Sequence, residues 1–142
     1  MGTLAAKVGV AFGAFYVAIG LIGFFITGFG GALTGEHGDT LLGISINQFH
    51  NLVHLGIGGF LLIMSLQKND AAAEGAVMGV GLFYVVAFVI GVIASDNLTI
   101  IGMRGEGDPA KFFHLLSGVT LLVVGLLSSA ATAQSMKRRG LA

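Results

Sequence analysis

Four stretches of this chain, residues 8–29, 44–66, 75–95 and 112–136, contain no Asp, Glu, Lys or Arg. Each is at least 21 residues long. A bilayer core of about 30 Å is crossed by a helix of about 20 apolar residues. Inside that core a backbone must satisfy its own hydrogen bonds, so a chain with four such stretches is constrained to four spanning helices. Composition agrees. Of 142 residues, 55% are hydrophobic and only 10% are charged, and the mean hydropathy is +0.93. Soluble domains carry about 25% charged residues; so few charges cannot coat a globule of this size in water. The fold class expected is all-α, a single integral membrane four-helix bundle over 1–142, with helices at about 8–29, 44–66, 75–95 and 110–136.

The first stretch is too long for the h-region of a cleaved signal, typically about 7–15 residues, so a retained helix is expected. Turn and charge clusters separate the spans: "GEHGD" at 35–39, "QKND" at 67–70, "SDN" at 95–97, "RGEGDP" at 104–109 and "KRR" at 137–139. Four spans put both termini and the loop at 67–74 on one side, with Lys7, Lys68, Lys137, Arg138 and Arg139; the other side has Arg104 and Lys111. Positive charge collects in the cytoplasm. Both termini are therefore expected there, and Glu36, Asp39, Asp96, Glu106 and Asp108 outside, with all four histidines at or near the outer face. "KRR" reads as inside-facing anchoring.

The two halves resemble one another. Gly13-Ala-Phe-Tyr-Val17 matches Gly81-Leu-Phe-Tyr-Val85, and His54-Leu-Gly-Ile-Gly58 matches His114-Leu-Leu-Ser-Gly118, in the same order. A repeat whose equivalent helices cross in the same direction has its halves related by an axis along the membrane normal. Such an axis brings His54 and His114 to similar depth beside a shared cleft and pairs Tyr16 with Tyr84. The pairs Gly9/Gly13 and Gly75/Gly79 have G-x-x-x-G spacing, which allows close helix approach, within the bundle or to a partner. Gly58 and Gly118 extend the set of packing glycines.

The polar residues concentrate in "NQFHNLVHL" at 47–55. Positions three or four apart share a helix face, so Asn47, His50, Asn51 and His54 form one stripe, expected to face the fourth helix because polar groups avoid lipid. His54 lies roughly 10 Å below Asn47 at 1.5 Å per residue. One reading is interhelical hydrogen bonding by Asn47, His50, Asn51, His54 and His114, with Asn47 also suited to capping a helix start. A second is a metal site. His50 and His54 at i, i+4 offer two imidazoles from one helix, His114 a third, and Asp108 a fourth ligand or an outer partner, with Asn47 or Asn51 orienting a ring. Three imidazoles and a carboxylate suit zinc, copper, nickel or iron. A third is haem held by His54 and His114, with Gly58 and Gly118 making room. Asp108-Pro109 also reads as a helix start signal, and His37 as a solvated loop residue.

The motif N-x-x-H-N-x-x-H-L, carried by Asn47, His50, Asn51, His54 and Leu55, followed by Asp108, His114 and Leu115, resembles a group of small four-helix bacterial membrane proteins of unknown function, frequent in actinobacteria. The resemblance implies a four-helix fold and a bacterial inner-membrane location, and no reaction. Gln48-Phe49 departs from the Pro-Leu expected in that group.

Among functions, an enzyme is the least supported: there is no activated serine or cysteine, no phosphate loop and no buried carboxylate pair. The chain has no cysteine, net charge zero and no basic run suited to nucleic acid. No acid or base is expected mid-membrane, which disfavours a channel or transporter. The leading expectation is an accessory, stabilising subunit of a larger membrane complex, a transporter or respiratory assembly, whose partners are the lipid bilayer and other integral membrane subunits. The competing one is a metal- or haem-binding protein with a redox or sensing role.

Overall fold

The computed structural model describes residues 2–30, 39–93 and 108–141. Its elements in chain order are α1 (Leu4–Thr27), β1 (Asp39–Leu41), β2 (Ile44–Ile46), α2 (Gln48–Leu66), α3 (Asp70–Ile93) and α4 (Ala110–Arg138). All four helices are long and apolar enough to cross a membrane. Large apolar side chains such as Phe15, Phe25, Ile63, Leu82 and Leu126 point outward. Apolar surface of this extent marks a face that meets something other than water; with the span lengths, it makes the chain a multi-pass membrane helical bundle.

Helix boundaries depart from the charge-free stretches for local reasons. α1 starts at Leu4 because the Thr3 side chain accepts a hydrogen bond from the Ala6 N–H, and the helix therefore includes Lys7. It ends at Thr27, where Gly28 takes φ 78°. α2 starts at Gln48, four residues later than the charge-free stretch from Ile44 would suggest. Ile-Ser-Ile alternates like a strand and pairs antiparallel with Asp39–Leu41. The two-residue turn between the strands, Leu42-Gly43, has positive φ at both positions, 54° and 80°, the hairpin geometry that matches strand twist. α3 starts at Asp70, not at Gly75, because Asn69 Oδ1 accepts from the Ala72 N–H and only Gln67–Asn69 separate it from α2.

The repeat seen in the sequence is also a repeat of packing. A Cβ on Gly58 would lie 2.7 Å from both the Gly13 carbonyl oxygen and the Val17 nitrogen. A Cβ on Gly118 would lie 2.8 Å from the Val85 nitrogen and 2.9 Å from the Gly81 carbonyl oxygen. Gly13 and Gly81 meet Leu62 and Leu122 in the same equivalent way. So α1 packs backbone-to-backbone on α2, and α3 on α4, through the same contact. Tyr16 stacks on Tyr84 with ring centroids 5.1 Å apart, and Gly9 sits beside Val77. α1 and α3 therefore run parallel, and the two hairpins stand side by side. The Ala5 N–H donates to Ser128 Oγ at 3.3 Å, which brings the start of α1 to the far part of α4, so the two chain ends share one side.

Of the six glycines expected at helix contacts, Gly9, Gly13, Gly58 and Gly118 are there. Gly75 and Gly79 make no such contact within the bundle: among the described residues a Cβ on either meets nothing within 4 Å, because α3 turns the opposite face, with Gly81, to α4. Gly20, Gly23, Gly81 and Gly125 fill contacts that spacing alone did not single out.

Adding bulk where backbones touch forces the helices apart. Gly58→Leu and Gly118→Leu should each destabilise the bundle by about 1–3 kcal/mol or more. Gly56→Leu, where a Cβ meets nothing within 4 Å, should change stability by no more than about 0.5 kcal/mol. Thermal unfolding in mild detergent, followed by circular dichroism, measures all three.

Candidate metal centre

The glycine contacts set the level of the residues one turn away. Gly13 precedes Tyr16 by one turn of α1, and Gly58 follows His54 by one turn of α2. Their rings meet at 5.4 Å between centroids. In the second half, Gly81 and Gly118 place Tyr84 against His114 at 5.2 Å. With the Tyr16–Tyr84 stack, the four rings form a continuous row, His54–Tyr16–Tyr84–His114, across the bundle.

The two ends of this row approach each other, and with His50 three imidazoles converge. One ligand atom each from His50, His54 and His114 lies within 4.8 Å of the others. Nε2 of His50 and Nε2 of His54 are 3.1 Å apart, and the His50 and His114 rings are 5.9 Å apart. Nitrogens bound tetrahedrally at 2.0–2.1 Å from zinc are about 3.3 Å from one another. The pair on α2 is close to that separation, and a His114 nitrogen from α4 lies within 4.8 Å of both. His50 and His54 are buried and His114 is half-buried. His114 Nδ1 is buried with no hydrogen-bond partner among the described residues, and a buried polar atom left so is costly.

The asparagines of the stripe do other work. Asn47 Oδ1 accepts from the His50 N–H at 2.7 Å and so caps α2. Asn51 does not face α4. Its Nδ2 donates to Thr27 Oγ1 at 3.0 Å, and its side chain fills the space beside Gly23 of α1. Asp108 falls outside the group of converging ligand atoms. Its Oδ1 accepts from the Ala110 N–H at 2.9 Å, which commits that oxygen to the start of α4. A haem between His54 and His114 does not fit. The space at Gly58 and Gly118 is taken by the backbones of α1 and α3, and the flank of each imidazole is taken by a tyrosine ring. His37 lies outside the described residues.

One polar residue escaped the charge-free reading. Glu74, taken above as part of a loop, is buried in the second turn of α3. It accepts hydrogen bonds from Ser128 Oγ at 3.0 Å and Thr132 Oγ1 at 2.8 Å, and Ser128 in turn accepts from the Ala5 N–H. One carboxylate thus ties α1, α3 and α4 together at the end of the bundle away from the histidines. The signal was available: Asn69 as a helix cap moves the start of α3 to Asp70 and places Glu74 on the face of Val77 and Gly81.

Residues 7–127 match the family described as Domain of unknown function (DUF4383), and the chain belongs to that family. Neither the curated proteins nor the solved structures contain a significant match.

Removing the Glu74 carboxylate leaves two hydroxyls without their acceptor. Glu74→Leu should lower the unfolding free energy by about 1–3 kcal/mol. Glu74→Gln, which keeps an accepting oxygen, should lose less than half as much. Denaturation of both variants in the same detergent supplies the comparison.

Proposed function

Because a family of unknown function passes no activity to its members, we propose from the site itself that this protein binds one transition-metal ion through His50, His54 and His114. The observation that carries the proposal is the convergence of three imidazoles from α2 and α4 within 4.8 Å. Interhelical glue is a poorer account of these rings. Among the described residues, the one hydrogen bond between these rings joins His50 and His54 of the same helix, and His114 Nδ1 has no partner. Glue is the work of Asn51, which bonds α2 to α1. An all-imidazole donor set suits zinc or copper, with nickel and iron as weaker fits. Three protein ligands leave a fourth position for an exogenous group, which is the coordination a sensing, carrier or redox role requires. With both termini cytoplasmic, in the inner membrane of a bacterium, the centre lies beneath the outer leaflet's headgroups.

A second reading, an accessory subunit of a larger membrane complex, is supported by Gly75 and Gly79. They lie exposed on α3, where a Cβ would meet nothing within 4 Å among the described residues, a surface on which another helix can approach closely. Purification from native membrane in mild detergent should then bring down a second membrane protein, and Gly79→Leu should release it. A chain that purifies alone from both backgrounds would rule out the subunit.

The metal proposal is tested on protein purified without metal-affinity tags. Elemental analysis should find about one equivalent of zinc or copper. At a free metal concentration 100 times the dissociation constant, the ion should stabilise the fold by about 2.7 kcal/mol. His54→Ala or His114→Ala should abolish stoichiometric metal, whereas Asn51→Ala should weaken the bundle by about 0.5–2 kcal/mol and leave metal content unchanged. Wild-type protein that folds normally yet takes up no transition metal would remove the centre.

A further inference from the structure

The histidine cluster is reached from two cavities, one on each flank of the bundle. The first, of about 320 Å³, is walled by Phe49 and Val53 of α2 and by Phe83, Tyr84 and Ala87 of α3. The second, of about 210 Å³, is walled by Phe15, Tyr16 and Ile19 of α1 and by Phe113 and Ser117 of α4, with the β1–β2 hairpin at its rim. His50, His54 and His114 line both. The repeat relates the two: Phe15, Tyr16 and Ile19 stand where Phe83, Tyr84 and Ala87 stand in the other half, and Phe113 stands where Val53 does. The same cleft therefore exists in two copies, each running between neighbouring helices to the same imidazoles.

Three features define what such a cleft accepts. It opens on the flank of spanning helices, through half-exposed phenylalanines, Phe15, Phe83 and Phe113, so its natural source of ligand is the lipid phase. Its described lining contains no Asp, Glu, Lys or Arg, so a charged headgroup would meet no counter-charge at membrane depth, which is expensive. Each copy carries aromatic walls, Phe49, Phe83 and Tyr84 in the first and Phe15, Tyr16 and Phe113 in the second, the latter beside aliphatic residues of the hairpin; such rings favour offset or edge stacking against a flat ring, and the inner end offers imidazole nitrogens to an oxygen. Ligand sites commonly pair apolar walls with a few such polar groups and have volumes of about 300–1,000 Å³; the first cleft reaches that range and the second, smaller one has room for the ring alone. We infer that the two clefts admit a neutral, lipid-soluble ring compound with carbonyl or hydroxyl oxygens, of the quinone or quinol class, whose oxygen is held at the histidine cluster. This goes beyond the metal proposal, since the oxygen can be met by an imidazole N–H or by an ion the imidazoles hold.

The chain carries its own reporter. It has no tryptophan and two tyrosines, and those two line the clefts, so all intrinsic tyrosine fluorescence arises beside the site. The protein in lipid nanodiscs is titrated with a benzoquinone bearing a decyl tail, before and after metal chelation, with metal content measured in parallel. The expected result is a saturable quenching component above the linear quenching caused by partition into lipid. In the doubly filled variant Ala87→Phe, Ile19→Phe its apparent dissociation constant should rise at least tenfold while metal content is unchanged. Wild-type quenching that stays linear would overturn the inference, and this arm needs no variant to fold. Equal affinity in a folded filled variant would overturn it too, as would a phospholipid with a brominated acyl chain quenching with the same saturation, which would make the occupant a lipid tail. Bound metal without quinone defeats only the clefts; quinone without any bound metal defeats only the metal centre.

Discussion

Everything about this bundle's interior follows from two equivalent places where helix backbones touch. Gly58 lies on Gly13 and Val17, and Gly118 on Gly81 and Val85. In lipid there is no hydrophobic force between helices, so association rests on close packing and on hydrogen bonds between them. A side chain at any of these glycines would separate the pair by more than the packing tolerates. The contact also sets the vertical register of each hairpin. With the register set, the tyrosine one turn along α1 or α3 has to meet the histidine one turn along α2 or α4.

The repeat then has a chemical consequence. Two hairpins that pack identically bring their Tyr–His pairs together about one axis, and Tyr16 stacks on Tyr84 at the centre. Only α2 adds a second histidine, His50, one turn nearer the membrane surface; the equivalent position on α4 is Ala110. A symmetric arrangement would give two imidazoles, suited to a bridging hydrogen bond. The departure from symmetry at position 50 supplies a third imidazole, the one that completes the cluster on which the metal proposal rests.

The polar groups are divided between the two ends of the bundle. His50, His54, His114, Asn47, Asn51 and Asp108 occupy one end; Glu74, Ser128 and Thr132 occupy the other. Between them the core is apolar, with Leu61, Leu121, Val77 and Val80 buried. Leu61 and Leu121 are themselves equivalent in the repeat. The described polar groups therefore form two separate clusters, not a continuous path. That separation favours a binding role for the histidine end and a structural one for Glu74, whose carboxylate joins three helices through hydroxyl and backbone donors.

Much of this was legible in one dimension, because lipid imposes a strong rule on sequence. Charge-free runs long enough to span read directly as helices, and i, i+4 histidines on a helix read as neighbours. The repeat was legible as two short motifs in the same order, since equivalent packing demands equivalent small and aromatic residues. Boundaries were less legible. Ile44–Ile46 is as apolar as the helix that follows it, and only its pairing with Asp39–Leu41 makes it a strand. Glu74 was misplaced because a charge was taken to mark a loop, whereas hydroxyls from α4 make its burial tolerable.

By itself, then, the sequence determined the number of spans, the shared side of the two chain ends and the pairing of His50 with His54 one turn apart, because these depend on chain length, hydropathy and spacing along one helix. The tertiary structure alone decided which polar residues share a site. Asn51 and His54 lie three residues apart on the same stripe, yet one meets α1 and the other joins the histidines. The rotation of each helix about its axis is set by where backbones can approach most closely, and that is a property of pairs of helices, not of any one of them.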